Sequence, residues 1–107
     1  MSISLSQDTF EAIPSPCFVL EEEKLRRNLE RLDSVQKNAQ ISIILALKGF
    51  AMWSSFPLVK SFLKSATASS MNEAKLCIEK FNELAHTYAV GYRDDEFDEL
   101  MTLSSHV

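Results

Sequence analysis

The stretch Ile41-Ser42-Ile43-Ile44-Leu45-Ala46-Leu47-Lys48-Gly49-Phe50-Ala51-Met52-Trp53 is the strongest structural signal in this 107-residue sequence. Its first seven residues are mostly aliphatic and lack helical spacing, which predicts a strand buried on both faces. The apolar run stops at Lys48-Gly49, so the strand should end there. Ligands bind at this end of the strands in parallel α/β folds, which makes Lys48 a candidate catalytic amine. The alternative is an ordinary lysine that reaches into solvent along its methylene stem.

Composition narrows the class of protein. The chain is 46% hydrophobic and 24% charged with a net charge of -4, and it has no cluster of Lys and Arg, which argues against a nucleic-acid surface. No apolar run reaches membrane-spanning length and no signal peptide is recognisable, so we expect a cytoplasmic protein that does not bind membranes. Cys17 and Cys77 are predicted to be reduced, buried thiols, and no metal site is expected.

Before the central strand, residues 1–16 predict an irregular arm and residues 17–20 a short strand. Residues 21–38 predict a helix whose acidic first turn suits the helix dipole, with Glu22 spaced to pair with Arg26. Its apolar stripe is expected to contain Leu25, Leu29, Leu32 and Val35 or Gln36.

After the central strand, Ser54, Ser55 and Pro57 predict the start of a helix that buries Leu58, Val59, Phe62 and Leu63. Residues 65–69 predict a strand, and Ser70-Met71-Asn72-Glu73 has the form of a capping box. The helix that follows is expected to bury Ala74, Cys77, Ile78 and Phe81. Residues 84–90 then predict a strand, Asp94 caps a helix with Phe97, Leu100 and Met101 on one face, and His106 begins a further strand.

This order of elements predicts an α/β fold: a leading strand and helix, then three strand–helix units joined by parallel crossovers. No domain boundary is evident within residues 1–107. A (β/α)₈ TIM barrel needs about 250 residues, so the units would form only a partial barrel. Such a piece would leave apolar surface uncovered, which favours self-association.

Three segments of the sequence carry a resemblance to a known family: Ile13-Pro14-Ser15-Pro16-Cys17-Phe18-Val19-Leu20, Leu45-Ala46-Leu47-Lys48-Gly49-Phe50-Ala51-Met52-Trp53, and Thr67-Ala68-Ser69-Ser70 followed by Glu73-Ala74. In these segments the sequence resembles the N-terminal part of the carboxynorspermidine (carboxyspermidine) decarboxylases. These enzymes are similar to the wider group of alanine racemase-like barrels that bind pyridoxal 5′-phosphate. Most of that group has a small residue and Asn after the lysine, whereas Gly49-Phe50 follows Lys48 here, as in the carboxynorspermidine branch.

The resemblance implies that Lys48 forms the Schiff base with pyridoxal 5′-phosphate. It implies decarboxylation of carboxynorspermidine or carboxyspermidine to norspermidine or spermidine, a step of polyamine biosynthesis, by a homodimer. Ala46 and Phe50 are expected to wall the cofactor ring. Ser70 and Glu73 are either cofactor-binding residues or only the capping box.

Trp53 is expected to pack in the core, and His86 is interpreted as a strand residue. Thr67 stands where ornithine decarboxylase-like relatives have Asp, so a contact there is not expected to carry over.

The phosphate-binding loop, the remaining cofactor ligands and the C-terminal β-domain of the family have no counterpart in residues 1–107. We therefore expect a fragment with little or no activity alone. Two alternatives stay open: a small pyridoxal phosphate-binding barrel protein, and a non-enzymatic remnant.

Overall fold

A computed structural model describes residues 5–107. The first four residues of the predicted arm lie outside that range. The helices are α1 (Gln7–Glu11), α2 (Glu22–Ala39), α3 (Phe56–Phe62), α4 (Met71–Leu76) and α5 (Asp94–Thr102). A 3₁₀ turn (Trp53–Ser55) precedes α3, and a π-helical segment (Cys77–Phe81) continues α4. The strands are β1 (Leu45–Ala46), β2 (Ala66–Ala68), β3 (Ala85–Thr87) and β4 (Ser104–His106).

The four strands form one parallel sheet in the order β1-β2-β3-β4. This confirms the predicted α/β fold with parallel crossovers. Because all four strands run the same way, their carboxyl ends lie along one edge of the sheet. We call this edge the carboxyl edge.

The two faces of the sheet are unequally covered. In β2 and β3 the outer residues are buried and the central residue is half-buried. Alternate residues of a strand point to opposite faces, so one face packs against the helices and the other is more open. The buried sheet residues share one core with side chains from α2, α3, α4 and α5; the core contains Leu29, Leu47, Phe56, Val59, Leu63, Ala66, Ala68, Ala74, Cys77, Phe81, Ala85 and Leu100.

The helix preceding β1 forms as predicted, but its buried stripe is narrower. Leu29 is buried and Leu25 packs against the core, whereas Leu32 and Val35 are exposed. The position that the sequence left open between Val35 and Gln36 is filled by Gln36, whose amide bonds to the backbone of Ile43 and Phe62. The predicted ion pair of Glu22 with Arg26 is present at 3.6 Å.

Two predictions about strands are wrong. Residues 17–20 form no strand, because no neighbouring chain among residues 5–107 pairs with their backbone. The central strand shrinks to Leu45–Ala46 and is half-buried rather than buried on both faces, because it lies at the edge of the sheet and pairs only with β2.

The structure also corrects predictions about the N-terminal arm and about α5. A short helix, α1, forms within the arm that was predicted to be irregular, since the hydroxyl of Ser6 caps it by accepting a bond from Thr9 N–H. Asp94 is the first residue of α5 rather than its cap, which is Arg93. Within α5, Leu100 is buried but Phe97 and Met101 are partly exposed.

The cysteines have different environments. Both are free thiols; Cys77 is buried beneath the sheet, but Cys17 is exposed because the segment that contains it has no strand to pack against. The prediction that both are buried is therefore wrong for Cys17. No helix among the described residues is both long and apolar enough to span a membrane.

Candidate active site

Lys48 lies at the carboxyl edge, in the turn that follows β1. The Leu47 N–H still donates to Thr67 O at 3.2 Å, and the chain then turns as the N–H groups of Gly49 and Phe50 donate to Ala46 O at 2.9 and 3.1 Å. Leu47 is buried in the core, whereas Lys48, the next residue of the turn, is exposed.

The Lys48 ammonium has no ion pair or hydrogen bond within residues 5–107. Some other lysines differ: Lys60 lies 2.9 Å from the Glu83 carboxylate, and Lys75 lies 3.1 Å from that of Glu99, although the exposed Lys80 shares the lack of a partner among residues 5–107. The Lys48 amine is therefore open to an electrophile that approaches the carboxyl edge.

An apolar cleft begins at Gly49, the residue that follows Lys48. The cleft has a volume of about 700 Å³ and is lined by Phe18, Val19, Gly49, Phe50, Ala51, Met52, Trp53 and Ser54. No charged side chain among residues 5–107 lines this cleft. The indole of Trp53 is 56% exposed, which overturns the expectation that this side chain packs in the core. The 3₁₀ turn directs the chain into α3 through Phe56, which takes the core position instead.

The structure brings two of the predicted ring-wall residues close to Lys48. Ala46 pairs with Thr67 across the sheet, and the half-buried Phe50 both packs against the core and lines the cleft. A planar ligand attached to Lys48 would lie near one small side chain and one aromatic side chain. Their contact with a cofactor stays a prediction.

Ser70 and Glu73 lie at the carboxyl end of the neighbouring strand and form a helix cap. The Ser70 hydroxyl accepts a bond from Glu73 N–H, and the Glu73 carboxylate accepts one from Ser69 N–H. Neither residue lines the apolar cleft. The Ser70 bond is an N-cap bond, and the Glu73 bond goes to the residue before the N-cap rather than to Ser70 itself, so capping of α4 accounts for both contacts. A cofactor-side role for Ser70 and Glu73 remains a prediction.

One feature of the open face was not predicted from the sequence. His86 stacks on His106, with ring centroids 4.3 Å apart and planes 19° apart. His86 is in β3, which confirms its interpretation as a strand residue, but its side chain is on the open face. The signal that could have revealed this was the alternation of the small residues Ala85 and Thr87 around His86, which marks the opposite face as the packed one.

No protein-family model matches the chain. It is 45% identical over 103 residues to carboxyaminopropylagmatine decarboxylase from Synechocystis sp.. It is also 40% identical over 98 residues to carboxynorspermidine/carboxyspermidine decarboxylase from Campylobacter jejuni, and 37% identical over 89 residues to the enzyme of that name from Herminiimonas arsenicoxydans.

The chain is homologous to the carboxynorspermidine/carboxyspermidine decarboxylases. The crystal structure of carboxynorspermidine decarboxylase from Campylobacter jejuni, determined with norspermidine, superposes with a TM-score of 0.81 at 40% identity. The match covers 86% of this chain and 25% of that structure. The alignments with the three curated decarboxylases cover 83–96% of this chain, which spans about a quarter of the length of each, between 24% and 27%.

Proposed function

We propose that this chain carries the reactive lysine of a pyridoxal 5′-phosphate-dependent decarboxylase of carboxynorspermidine or carboxyspermidine. The product would be norspermidine or spermidine, in a cytoplasmic pathway of polyamine biosynthesis. The observation that carries the proposal is the Lys48 amine at the carboxyl edge, which has no ion pair or hydrogen bond among the residues that the structure describes. The homology to decarboxylases over nearly the whole chain supports it.

The residues around Lys48 fit this cofactor. An amine without a carboxylate partner can condense with an aldehyde, and the adjoining cleft offers apolar and aromatic walls to a planar ring. When bound, pyridoxal phosphate supplies a ring that accepts the electron pair left behind as carbon dioxide departs. Lys48 would hold the aldehyde carbon, with Ala46 and Phe50 beside the ring.

Lys48 has a second task in such a reaction. Whenever the Lys48 amine is not bonded to the cofactor aldehyde, it would be free to carry a proton at Nζ. In residues 5–107 the Lys48 side chain is exposed. Water would have to be excluded by groups outside the described residues, since the open face leaves this amine solvated.

The substrate class follows the names of the relatives. They act on carboxylated polyamines, and the relative at 45% identity is named for an agmatine derivative. We propose a carboxylated polyamine as substrate and place carboxyaminopropylagmatine beside carboxynorspermidine as a candidate. The net charge of -4 is compatible with a cationic substrate.

Complete activity is proposed to need more than these 107 residues, because the relatives are about four times as long. In this proposal the strands β1 to β4 are the first part of a (β/α)₈ barrel, and the active unit is a homodimer. The 107-residue chain alone is expected to show little or no decarboxylation.

Reductive labelling tests the role of Lys48. The 107-residue chain is incubated with pyridoxal phosphate, reduced with borohydride and mapped by peptide mass spectrometry. We expect dominant labelling of Lys48, and its loss in Lys48→Arg. Lys60 and Lys75 are internal controls because each is paired with a carboxylate. Equal labelling of Lys24, Lys60 and Lys75 would contradict the proposal and support a non-enzymatic remnant.

A further inference from the structure

A β-bulge places the two histidines of the chain on the same face of the sheet. Ala85 pairs with Ser104, but the next pair is His86 with His106, so Ser105 is the extra residue. Without this extra residue His86 would pair with Ser105, and His106 would turn toward the helix side. The bulge instead allows the two imidazoles to stack at 4.3 Å.

His86 and His106 continue a row of side chains that begins next to Lys48. The register pairs Ala46 with Thr67, Thr67 with His86, and His86 with His106. Neighbouring residues in register share a face, and this is the open face, because Ala66, Ala68 and Ala85 are fully buried on the other one. His86 therefore lies on the open face, in the row that starts at Ala46, two residues before Lys48.

This row, Ala46-Thr67-His86-His106, and the next positions toward the carboxyl edge contain several hydrogen-bond donors. The row itself offers the Thr67 hydroxyl and the two imidazoles, and one step toward the carboxyl edge come Ser69 and Tyr88. None of these strand positions is acidic, and the Glu73 carboxylate at this edge already accepts a bond from Ser69 N–H. Such a set of donors suits an anionic oxygen. β1 and β3 are two strand spacings apart, about 10 Å, which a lysine side chain with a planar aldehyde attached can span.

We propose that the His86 imidazole donates a hydrogen bond to an anionic oxygen of the aldehyde ligand that condenses with Lys48. His106 is a positioning residue: its ring lies flat against His86 and fixes the ring's orientation. The inference rests on the proposed function, since the ligand must be bound at Lys48. It adds a binding residue on a strand two places away from that lysine.

Three aldehydes test the inference. Pyridoxal phosphate has a phosphate and a phenolate, pyridoxal has only the phenolate, and pyridine-4-carbaldehyde has neither. The aldehyde concentration that half-labels Lys48 is measured after reduction for the unsubstituted 107-residue chain and for His86→Phe, which retains a flat ring able to stack. Asn28→Ala, at an exposed position of α2, is the control. Circular dichroism verifies that each variant is folded.

For His86→Phe we expect the half-labelling concentration of pyridoxal phosphate to rise about tenfold, the loss of one hydrogen bond to a charged group. That of pyridine-4-carbaldehyde should stay within about twofold. If the half-labelling concentration of pyridoxal rises as well, His86 donates its hydrogen bond to the phenolate. If the value for pyridoxal does not rise, His86 donates it to the phosphate. An unchanged value for pyridoxal phosphate, or equal changes for all three aldehydes, would overturn the inference.

Substitutions of His106 separate positioning from mere packing. His106→Ala removes the stack and should weaken labelling by pyridoxal phosphate about threefold or more, while His106→Phe restores it. If His106→Ala labels like the unsubstituted chain, the positioning role is wrong. If no aldehyde selects Lys48 in the unsubstituted chain, the proposed function fails and this inference fails with it. If Lys48 is labelled selectively and His86→Phe leaves that labelling unchanged, the inference about His86 is wrong but the proposed function is not.

Discussion

The side-chain carbonyl of Gln36 accepts a 2.8 Å hydrogen bond from the backbone N–H of Ile43. The amide of the same side chain donates to Phe62 O at 3.1 Å. One residue of α2 thereby connects the segment entering β1 with the end of α3. Since Lys48 lies two residues after the end of β1, Gln36 helps to fix the strand that leads to the candidate catalytic amine.

Replacing Gln36 by Leu should lower the free energy of unfolding by about 1–3 kcal/mol. The variant keeps the size of the side chain but leaves a partly buried N–H and a partly buried carbonyl without their partners. Denaturant titration followed by circular dichroism measures the change. Val35→Ala, at the exposed neighbouring position, should change the value by less than about 0.5 kcal/mol. Equal effects of the two substitutions would refute the bridging role.

Ser70→Ala should lower the free energy of unfolding by about 1 kcal/mol, because the N-cap hydroxyl that accepts from Glu73 N–H is lost. Ser70→Asp retains an acceptor and should recover most of that stability. Thermal denaturation of the three proteins tests this. If Asp is no better than Ala, the hydroxyl does not stabilise α4 by capping.

Phe81→Leu should destabilise the chain more than Phe97→Leu. The Phe81 ring is 1% exposed and meets Phe56 edge to face, with centroids 5.4 Å apart, whereas Phe97 is 39% exposed. We expect a loss of roughly 1–3 kcal/mol for Phe81→Leu and less than 1 kcal/mol for Phe97→Leu. Denaturation midpoints that shift equally would show that the core does not depend on this aromatic pair.

The two thiols should react at very different rates with a disulfide reagent at pH 8. Cys17 is exposed and should react at once, whereas Cys77 is buried and should react only as the chain unfolds. Cys17→Ser identifies the fast thiol, since the burst should then disappear. A second fast thiol in the native chain would show that the core opens around Cys77.

Stability should also fall at high pH because of Cys77. Burial, with a contribution from the Glu83 charge, raises the pKa of this thiol from 9.0 to about 11. The unfolded chain loses the proton near pH 9 while the folded chain keeps it. The free energy of unfolding should therefore fall between about pH 9 and pH 11, by up to roughly 1.4 kcal/mol per pH unit from this group. Cys77→Ala should flatten that part of the pH profile, and an unchanged slope would assign the fall to other groups.

Local signals in the sequence were enough to predict most of the helices and the parallel order of the strands. The capping box at Ser70 and the spacing of Ala74, Cys77 and Phe81 depend on contacts within a few residues, and the structure confirms both. The position of Lys48 after β1 followed equally directly, since the apolar run stops there.

Features that depend on distant neighbours could not be predicted in the same way. The segment containing Phe18 has strand-like residues, yet a strand requires a pairing partner, and Phe18 is 96% exposed. Trp53 and Leu32 have apolar side chains, but the turn and helix that hold them direct these side chains outward. The stack of His86 on His106 depends on a bulge, which no local propensity reports.

The sequential, parallel order of the strands has a consequence for growth of the sheet. β1 and β4 are the two outer strands of the sheet, and they run in the same direction. A further parallel strand could pair with either outer strand. It would extend the carboxyl edge, where Lys48 lies, without changing the direction in which that edge faces. Enlargement would thus conserve the orientation of the amine.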